Sequence, residues 1–145
     1  MPEPDVQALF RAAVHDDDAD AMRRGVEGLL GLGDGATLSP EREHALRRPD
    51  FVMEMPQSGE RVRGRDAMRE LQERFPGGGP SLVLRRVVGA GHVWVVEGYA
   101  DYGNDPWHVM VVFEIDDDGL VARETRYYAG AIEAPGWRAD LVEQM

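Results

Sequence analysis

The stretch that decides the fold of this chain is FVMEMPQSGERVRGRDAMREL, which covers residues 51–71. Its first five residues alternate in a way that predicts a strand, and Pro56 ends that strand because proline cannot donate to a sheet ladder. Residues 57–60 predict a turn, and residues 61–63 predict a short return strand. Apolar residues then recur at helical spacing, so a helix is predicted over residues 66–75. Strands and helices in this order indicate an α+β chain.

Three helices are predicted ahead of this stretch. The first covers residues 5–15, where one face carries Val6, Leu9, Phe10, Ala13 and Val14. The acidic run at residues 16–18 is interpreted as a solvated turn, whose last residue, Asp18, caps a second helix over residues 19–30. Glycines at positions 31, 33 and 35 end that helix. Ser39 and Pro40 supply a cap and a first-turn proline for a short third helix that reaches about Leu46.

The rest of the chain is predicted to be mostly β-structure. A loop at residues 76–80 leads into strands at 81–88, 92–102, 107–115 and 120–128, which are rich in Val and aromatic residues. Each strand is apolar on nearly both faces, so both sides of the sheet must be covered, one of them by the helices. The tail at residues 132–145 is expected to end in another helix. Because no linker or internal repeat is visible, we expect one domain over residues 1–145.

Charge and residue content exclude several classes of function. A formal net charge of −11 over 145 residues argues against nucleic acid as a partner, because phosphate binding requires clustered Lys and Arg. The absence of Cys excludes disulfides, thiolate metal ligands and cysteine nucleophiles. No apolar run approaches the roughly 20 residues that cross a bilayer, and the acidic start has no signal-peptide pattern. We therefore expect a soluble, cytoplasmic protein that has no membrane partner.

Three segments resemble the SnoaL-like branch of the nuclear-transport-factor-2-like (NTF2-like) superfamily. The first is FVMEMP followed by GRDAMREL at residues 64–71, which is similar to the family's strand ending in Pro and its helix opening on Gly-Arg-(Asp/Glu)-Ala. The second, from Phe113 through Gly119 to Tyr128, is similar to the family's last hairpin. The third is APGWR at residues 134–138. Their order along the chain carries the likeness, which covers nearly its whole length.

This resemblance implies a cone-shaped α+β fold, in which N-terminal helices pack in the concave face of a curved, mostly antiparallel β-sheet around an internal pocket. It also implies a homodimer formed through the outer face of the sheet. The superfamily includes polyketide cyclases, ketosteroid isomerases, epoxide hydrolases, dehydratases and non-enzymatic binders. The fold therefore does not define a reaction, and the residues must decide.

The ketosteroid-isomerase pattern is not matched at its three functional positions. The family's catalytic Asp falls on Met55, its helix tyrosine on Phe10 and its oxyanion-hole Asp on Val111. All three residues are apolar here, whereas proton abstraction beside a carbonyl requires a base and an oxyanion donor. A steroid-type isomerase is therefore not expected.

The same match implies which apolar side chains line the pocket. They are Phe51, Met53, Met55, Trp94, Val96, Gly98, Tyr102, Val109, Val111 and Phe113. Met and aromatic residues at such positions are also found in ordinary cores, since Met fills irregular gaps anywhere. We take the set as candidate contacts for a small hydrophobic molecule.

Four residues are candidate catalytic groups of the pocket. Arg126 is expected to face inward, where it must meet either an anionic ligand or the carboxylate of Glu124, because an unpaired buried Arg is costly. Tyr128, on the same face, is a candidate hydrogen-bond donor. His108 begins a strand and is a candidate proton carrier at the pocket mouth.

Three functional hypotheses stay open at this point. The first is a cyclase-, isomerase- or hydrolase-type enzyme on a hydrophobic substrate, in which Arg126 stabilises negative charge. The second is a binding protein with the same chamber and no turnover. The third is a dimeric structural protein whose pocket is filled by core side chains. No cofactor and no metal ion are expected, because nucleotide, flavin and metal motifs are absent and the histidines lack ligand spacing.

Overall fold

The computed structural model of the chain describes residues 5–32, 38–76 and 79–145. Its elements in chain order are α1 (Val6–Asp16), α2 (Ala19–Leu30), α3 (Pro40–Ala45), β1 (Arg47–Met55), β2 (Glu60–Arg63), α4 (Arg65–Glu73), β3 (Ser81–Ala90), β4 (Val93–Asp101), β5 (Pro106–Ile115), β6 (Val121–Ala129) and a short 3₁₀ helix, Gly136–Arg138. The predicted order of helices and strands is confirmed.

Side-chain caps define where the first three helices begin. Asp5 accepts a hydrogen bond from the Ala8 amide at 3.0 Å, and Asp18 accepts one from the Ala21 amide at 3.0 Å. Ser39 caps α3 in the same way, with Pro40 at the start of the helix. The predicted caps at Asp18 and Ser39 are therefore confirmed. Gly31 ends α2 in the left-handed conformation, whereas the glycines predicted at positions 33 and 35 and those at 77 and 78 lie outside the described residues.

The six strands form one curved, open sheet in the order β2-β1-β6-β5-β4-β3. All neighbouring strands are antiparallel except β1 and β6, which are parallel. The sheet is thus mixed but mostly antiparallel, as predicted. Because β1 lies beside β6, the side chains of the first and last strands face each other across one ladder.

Two boundaries differ from the sequence prediction. Strand β1 begins at Arg47, several residues before the predicted start, because Leu46 and Arg47 already pair with Val121 of β6. The tail contains a 3₁₀ turn in place of the predicted helix. Its Trp137 is 78% exposed, so this side chain is not packed against the core. Most helical stability comes from such packing, which this segment lacks at Trp137.

The core lies between helices α1, α2 and α4 and the concave face of the sheet. Its buried side chains include Phe10, Met22, Val26, Phe51, Met53, Met68, Trp94, Phe113 and Ile115. Full burial of each such side chain contributes about 1.5–3 kcal/mol. Helices α1 and α2 approach closely at Gly25, where a Cβ atom would lie 2.6 Å from the ring of Phe10.

Within the described residues, no helix combines the length and apolar character that a membrane crossing requires.

Candidate ligand pocket

A cavity of about 1050 Å³ lies inside the sheet and is open to solvent at one side. Its volume lies at the upper limit of the range of roughly 300–1000 Å³ that is usual for small-molecule sites. Its walls come from α2, α3 and α4 and from the inner faces of β1, β3, β4, β5 and β6. The apolar lining includes Leu30, Met53, Met55, Leu71, Leu84, Val96, Trp107, Val109, Val111 and Phe113. Glu43, Gln72, Glu124 and Arg126 form one charged region of the wall, and the polar lining also includes Gln57, Ser58, Glu60, Glu73 and Asp105.

The charged region belongs to a polar cluster of five residues: Glu43, Arg47, Gln72, Glu124 and Arg126. Arg47 is 2% exposed and donates from Nη1 to Gln72 Oε1 at 2.9 Å and from Nη2 to Glu43 Oε1 at 3.3 Å. The same Nη2 lies 3.6 Å from Glu124 Oε2. Arg47 therefore connects α3, α4 and β6 at the base of the cavity. Its guanidinium also lies 4.8 Å from the ring centroid of Phe51.

Glu43 occupies the cavity wall at the end of α3. Its Oε1 accepts from Arg47, and its Oε2 accepts from Gln72 Nε2 at 2.9 Å. Burial raises the pKa of the Glu43 carboxyl above its ordinary value, and Glu124 raises it further, whereas Arg47 opposes the shift. The protonated form of this carboxyl is therefore favoured more than it would be in water.

Arg126 lies beside Glu124 on β6, and its side chain is 18% exposed. Its Nη2 lies 3.4 Å from Glu124 Oε1 and 3.2 Å from Oε2, so one nitrogen contacts both carboxylate oxygens. The Nε of Arg126 is buried and has no hydrogen-bond partner in the described part of the chain. Burial alone would lower the pKa of Arg126, but Glu124 and its neighbours raise it above its ordinary value, so the guanidinium keeps its charge.

Aromatic side chains border the charged region on β4, β5 and β6. Tyr128 and Tyr102 both line the cavity, and burial raises the pKa of the Tyr102 hydroxyl. The Tyr102 ring lies 5.8 Å from that of Phe75, which follows α4. Gln57 Oε1 accepts from the backbone amide of Tyr128 at 3.1 Å and joins the β1–β2 turn to the end of β6. Phenol hydroxyls beside a guanidinium suit a ligand that carries oxygen.

Strand register brings most of the sequence-predicted site residues together. Val111 pairs with Arg126, and Phe113 pairs with Glu124, so these side chains share one face of the β5–β6 ladder. The predicted residues that line the cavity are Met53, Met55, Val96, Gly98, Tyr102, Val109, Val111, Phe113, Glu124, Arg126 and Tyr128.

Phe51 and Trp94 are predicted ligand contacts that the structure places in the closed core instead. Each is 0% exposed, and neither belongs to the cavity wall. Phe51 lies under the Arg47 guanidinium, and Trp94 donates from Nε1 to the carbonyl of Gly91 at 2.8 Å. Their inward orientation agrees with the strand alternation, but both lie deeper than the cavity, where helices cover them.

His108, which was predicted to approach the pocket mouth, lies next to the lining residue Tyr99 but is not itself part of the cavity wall. His108 is exposed and lies outside the cavity wall, because its neighbours Trp107 and Val109 occupy the inner face of β5. Its ring lies 4.8 Å from that of Tyr99 on the adjacent strand. The alternation of β5 was itself the signal that sends this histidine outward.

The three positions that match the functional residues of ketosteroid isomerases lie partly on the cavity wall and partly in the core. Met55 and Val111 line the cavity, whereas Phe10 is 0% exposed and packs in the core against α2. The two cavity positions offer neither a base nor an oxyanion donor, so any proton transfer depends on other residues.

Sequence reasoning missed Glu43, Arg47 and Gln72. Glu43 lies in α3, whereas Arg47 begins β1, so no single helical or strand pattern links the two side chains. Gln72 falls within the helix predicted over residues 66–75 and is not among the residues singled out there. A polar residue inside an apolar helical stripe is the signal that could have indicated a buried role.

Across the described ranges, no group of three or more His, Asp or Glu side chains is arranged to hold a metal ion.

The sequence matches no known family model, and it matches no curated protein. Solved structures are similar over nearly the whole chain. An NTF2-like protein of unknown function from Burkholderia xenovorans LB400 is 28% identical, with a TM-score of 0.65 over 97% of this chain and 91% of that one. A candidate ketosteroid isomerase from Kribbella flavida DSM 17836 is 27% identical, with a TM-score of 0.72 over 97% of this chain and 89% of that one.

A candidate SnoaL-like polyketide cyclase from Jannaschia sp. CCS1 shares the fold at 15% identity, with a TM-score of 0.56 over 88% of each chain. The α+β element order and the curved mixed sheet agree with these similarities. The chain has the NTF2-like fold, and these similarities support its place in the NTF2-like superfamily.

Proposed function

We propose that the cavity binds a small hydrophobic molecule that carries one oxygen-bearing polar group, a carboxylate or an enolate, and that Arg126 receives this group. The apolar wall would bury the hydrocarbon part, which is the main favourable contribution to binding. The guanidinium would orient the polar end, as a charge-assisted donor does in an otherwise apolar site.

The observation that carries this proposal is the unpartnered Nε of Arg126. A buried donor left without an acceptor costs about 1–3 kcal/mol, and more when it is charged. Glu124 occupies only Nη2. A ligand oxygen next to Nε would complete the hydrogen bonding of this side chain, and the cavity provides the space for it.

Acid–base catalysis is the second candidate function, and Glu43 favours it. A buried carboxyl with a raised pKa on a cavity wall is the kind of group that enzymes use to move protons near neutral pH. The similar candidate isomerase and cyclase support an enzyme of the cyclase, isomerase or hydrolase type. Glu124, Arg126 and Tyr128 would then border the reacting group, and a binder without turnover would use the same wall.

A homodimer is part of the proposal. Met110 and Tyr127 pair on the outer face of β5 and β6 and are 41% and 44% exposed. Apolar side chains on a sheet face are suited to burial against a second copy. We expect light scattering to report a dimer and Met110→Asp to weaken it. A monomeric wild type at micromolar concentration would contradict this part.

Thermal unfolding with a panel of hydrophobic carboxylates, phenols, steroids and epoxides tests the ligand site. Bound ligand stabilises the folded state by about 2.7 kcal/mol at one hundred times its Kd, so the midpoint should rise. We expect the rise in wild type and not in Arg126→Ala. Arg126→Lys serves as the matched variant, because it keeps a charge beside Glu124 and removes the Nε donor.

Arg74→Ala is the control for loss of a surface arginine, since Arg74 pairs with Glu70 on α4 and neither residue lines the cavity. It should respond to ligand as wild type does. If no compound raises the midpoint of wild type, or if the same compound raises it equally in Arg126→Lys, the proposed site is wrong.

A further inference from the structure

The polar cluster contains two carboxylates, Glu43 and Glu124, and two guanidinium groups, those of Arg47 and Arg126. The two carboxylates do not contact the guanidinium groups equally. Glu43 and Glu124 both approach the Nη2 of Arg47, at 3.3 Å and 3.6 Å. Glu124 also has Arg126 at 3.2 Å, whereas the second partner of Glu43 is the neutral amide of Gln72. Two carboxylates that share one cation repel each other, and the one with less positive charge around it is the better proton acceptor.

An anionic ligand would disturb this balance. With both carboxylates ionised, the two arginines neutralise the two acids, so the cluster has no net charge. A carboxylate that enters beside Arg126 adds a third negative charge to two positive ones inside an apolar cavity. Uncompensated charge is costly in such surroundings, and uptake of one proton restores neutrality.

We propose that an anionic ligand enters this cavity together with one proton, and that Glu43 is the residue that holds the proton. The proton comes from solvent and forms an O–H bond on the carboxyl of Glu43, with no other bond made or broken. This inference rests on the proposed ligand site at Arg126 and adds the charge state in which that site is filled.

The surroundings of Glu43 support this assignment. It faces Arg47 on β1, Gln72 on α4, and Glu124 and Arg126 on β6. Only 4% of its side chain is exposed, so bulk water stabilises its ionised form little. Burial already raises the pKa of its carboxyl in the unliganded protein, and a negative charge on a nearby ligand acts in the same direction.

Calorimetric titration with naphthoate, phenylbutyrate and decanoate tests the proposal directly. Titrations at one pH in buffers of different ionisation enthalpy give the number of protons taken up per ligand bound. We expect wild type to take up about one proton at pH 7, and its affinity to fall about tenfold per pH unit above neutrality. The corresponding amides carry no charge and should bind without proton uptake.

Glu43→Gln is the decisive variant, because glutamine resembles the protonated carboxyl. It should bind the carboxylates at least as tightly as wild type, with no proton uptake and a flat pH profile. Glu41→Gln, on the exposed side of the same helix, is the matched control and should behave as wild type. If Glu43→Gln takes up as many protons as wild type does, Glu43 is not the proton carrier.

Carbon NMR of the glutamate carboxyl groups in wild type gives a second readout that needs no variant. The signal of Glu43, assigned through bonds, should move to its protonated position when naphthoate is added at pH 7. A signal that stays at its ionised position while naphthoate is bound would overturn the proposal. If no carboxylate of the panel binds wild type at all, the ligand site itself is wrong and this inference falls with it.

Discussion

Arg47 Nη2 lies 3.6 Å from Glu124 Oε2, and each side chain is at least 96% buried. This contact joins β1 to β6, the parallel pair of the sheet, at the base of the cavity. Because Arg47 also binds Glu43 and Gln72, one guanidinium connects two helices to the sheet.

Replacement of Arg47 should therefore destabilise the fold far more than replacement of an exposed arginine. We expect Arg47→Met to lower the free energy of unfolding by about 3–5 kcal/mol, because it leaves two buried carboxylates without their shared cation. Urea denaturation measures this change. Arg61→Ala, which removes the exposed pair with Glu54, should cost less than about 1 kcal/mol. Equal losses in the two variants would contradict the role given to Arg47.

Glu43 should make stability depend on pH in a defined direction. A carboxyl whose pKa is raised by folding binds more protons in the folded state, so its contribution to stability is full below the ordinary value of 4.5 and is lost as pH rises through the folded pKa. We expect the free energy of unfolding, measured in urea, to fall from pH 5 upward in wild type.

The same titration on Glu43→Gln should be flatter in this range. Four carboxyls have lowered pKa values: Asp50, Asp66, Asp117 and Glu97. Their contribution to stability is lost only as pH falls below their ordinary pKa values, which is outside the measured range. An identical slope in wild type and Glu43→Gln would mean that this carboxyl does not control the pH dependence.

Val111 and Val112 are neighbours on β5 whose side chains point to opposite faces of the sheet, so substitutions at the two positions distinguish the cavity from the other face. Val111 lines the cavity opposite Arg126, whereas Val112 is not part of the wall. We expect Val111→Phe to weaken naphthoate binding about tenfold or more by filling the cavity, and Val112→Phe to leave it unchanged. Calorimetry measures both. Equal effects from the two substitutions would place the ligand elsewhere.

Alanine substitutions at Gly119 and Gly59 distinguish the cost of backbone strain from the cost of a steric clash with the added Cβ atom. Both have positive φ, at 83° and 75°, but a Cβ atom on Gly119 would lie 2.3 Å from the carbonyl oxygen of Gln7, whereas nothing lies within 4 Å at Gly59. Gly119→Ala should therefore cost about 1–3 kcal/mol more than Gly59→Ala in urea denaturation. Equal costs would show that the turn does not press on α1.

His108 should be dispensable for the pocket. Its side chain is exposed and is not part of the cavity wall, although its ring contacts the lining residue Tyr99, so we expect His108→Ala to bind naphthoate within about twofold of wild type. A loss of tenfold or more would restore the proton-carrier role that its place in the sequence had indicated.

Local chemistry explains which features could be predicted from sequence. The caps at Asp18 and Ser39 depend on hydrogen bonds to residues three positions away, and the inward face of β6 follows from the alternation of a strand. The same alternation sends His108 outward once Val109 is assigned inward. These assignments require no knowledge of distant contacts.

The base of the site depends on distant contacts and was missed for that reason. Arg47 is one of several arginines in its segment, and its burial follows from the parallel pairing of β1 with β6. Phe51 and Trp94 have the predicted orientation, but their depth relative to the cavity depends on how the helices cover the sheet. Strand alternation determines which face of the sheet a side chain occupies. Only the assembled fold determines whether that side chain lines the cavity or lies in the closed core.

The contact between α1 and the β5–β6 turn has a consequence for the order of folding. Gln7 and Arg11 donate to the carbonyl of Asp118, at 2.9 Å and 3.3 Å, across sequence separations of 111 and 107 residues. Contacts of such separation form late, because a long loop must close first. During synthesis α1 leaves the ribosome first, yet it cannot reach its docking site until the last hairpin has been made. Helix α1 can therefore pack against α2 early, through Phe10 and Gly25, but its contact with the β5–β6 turn forms only after that hairpin exists.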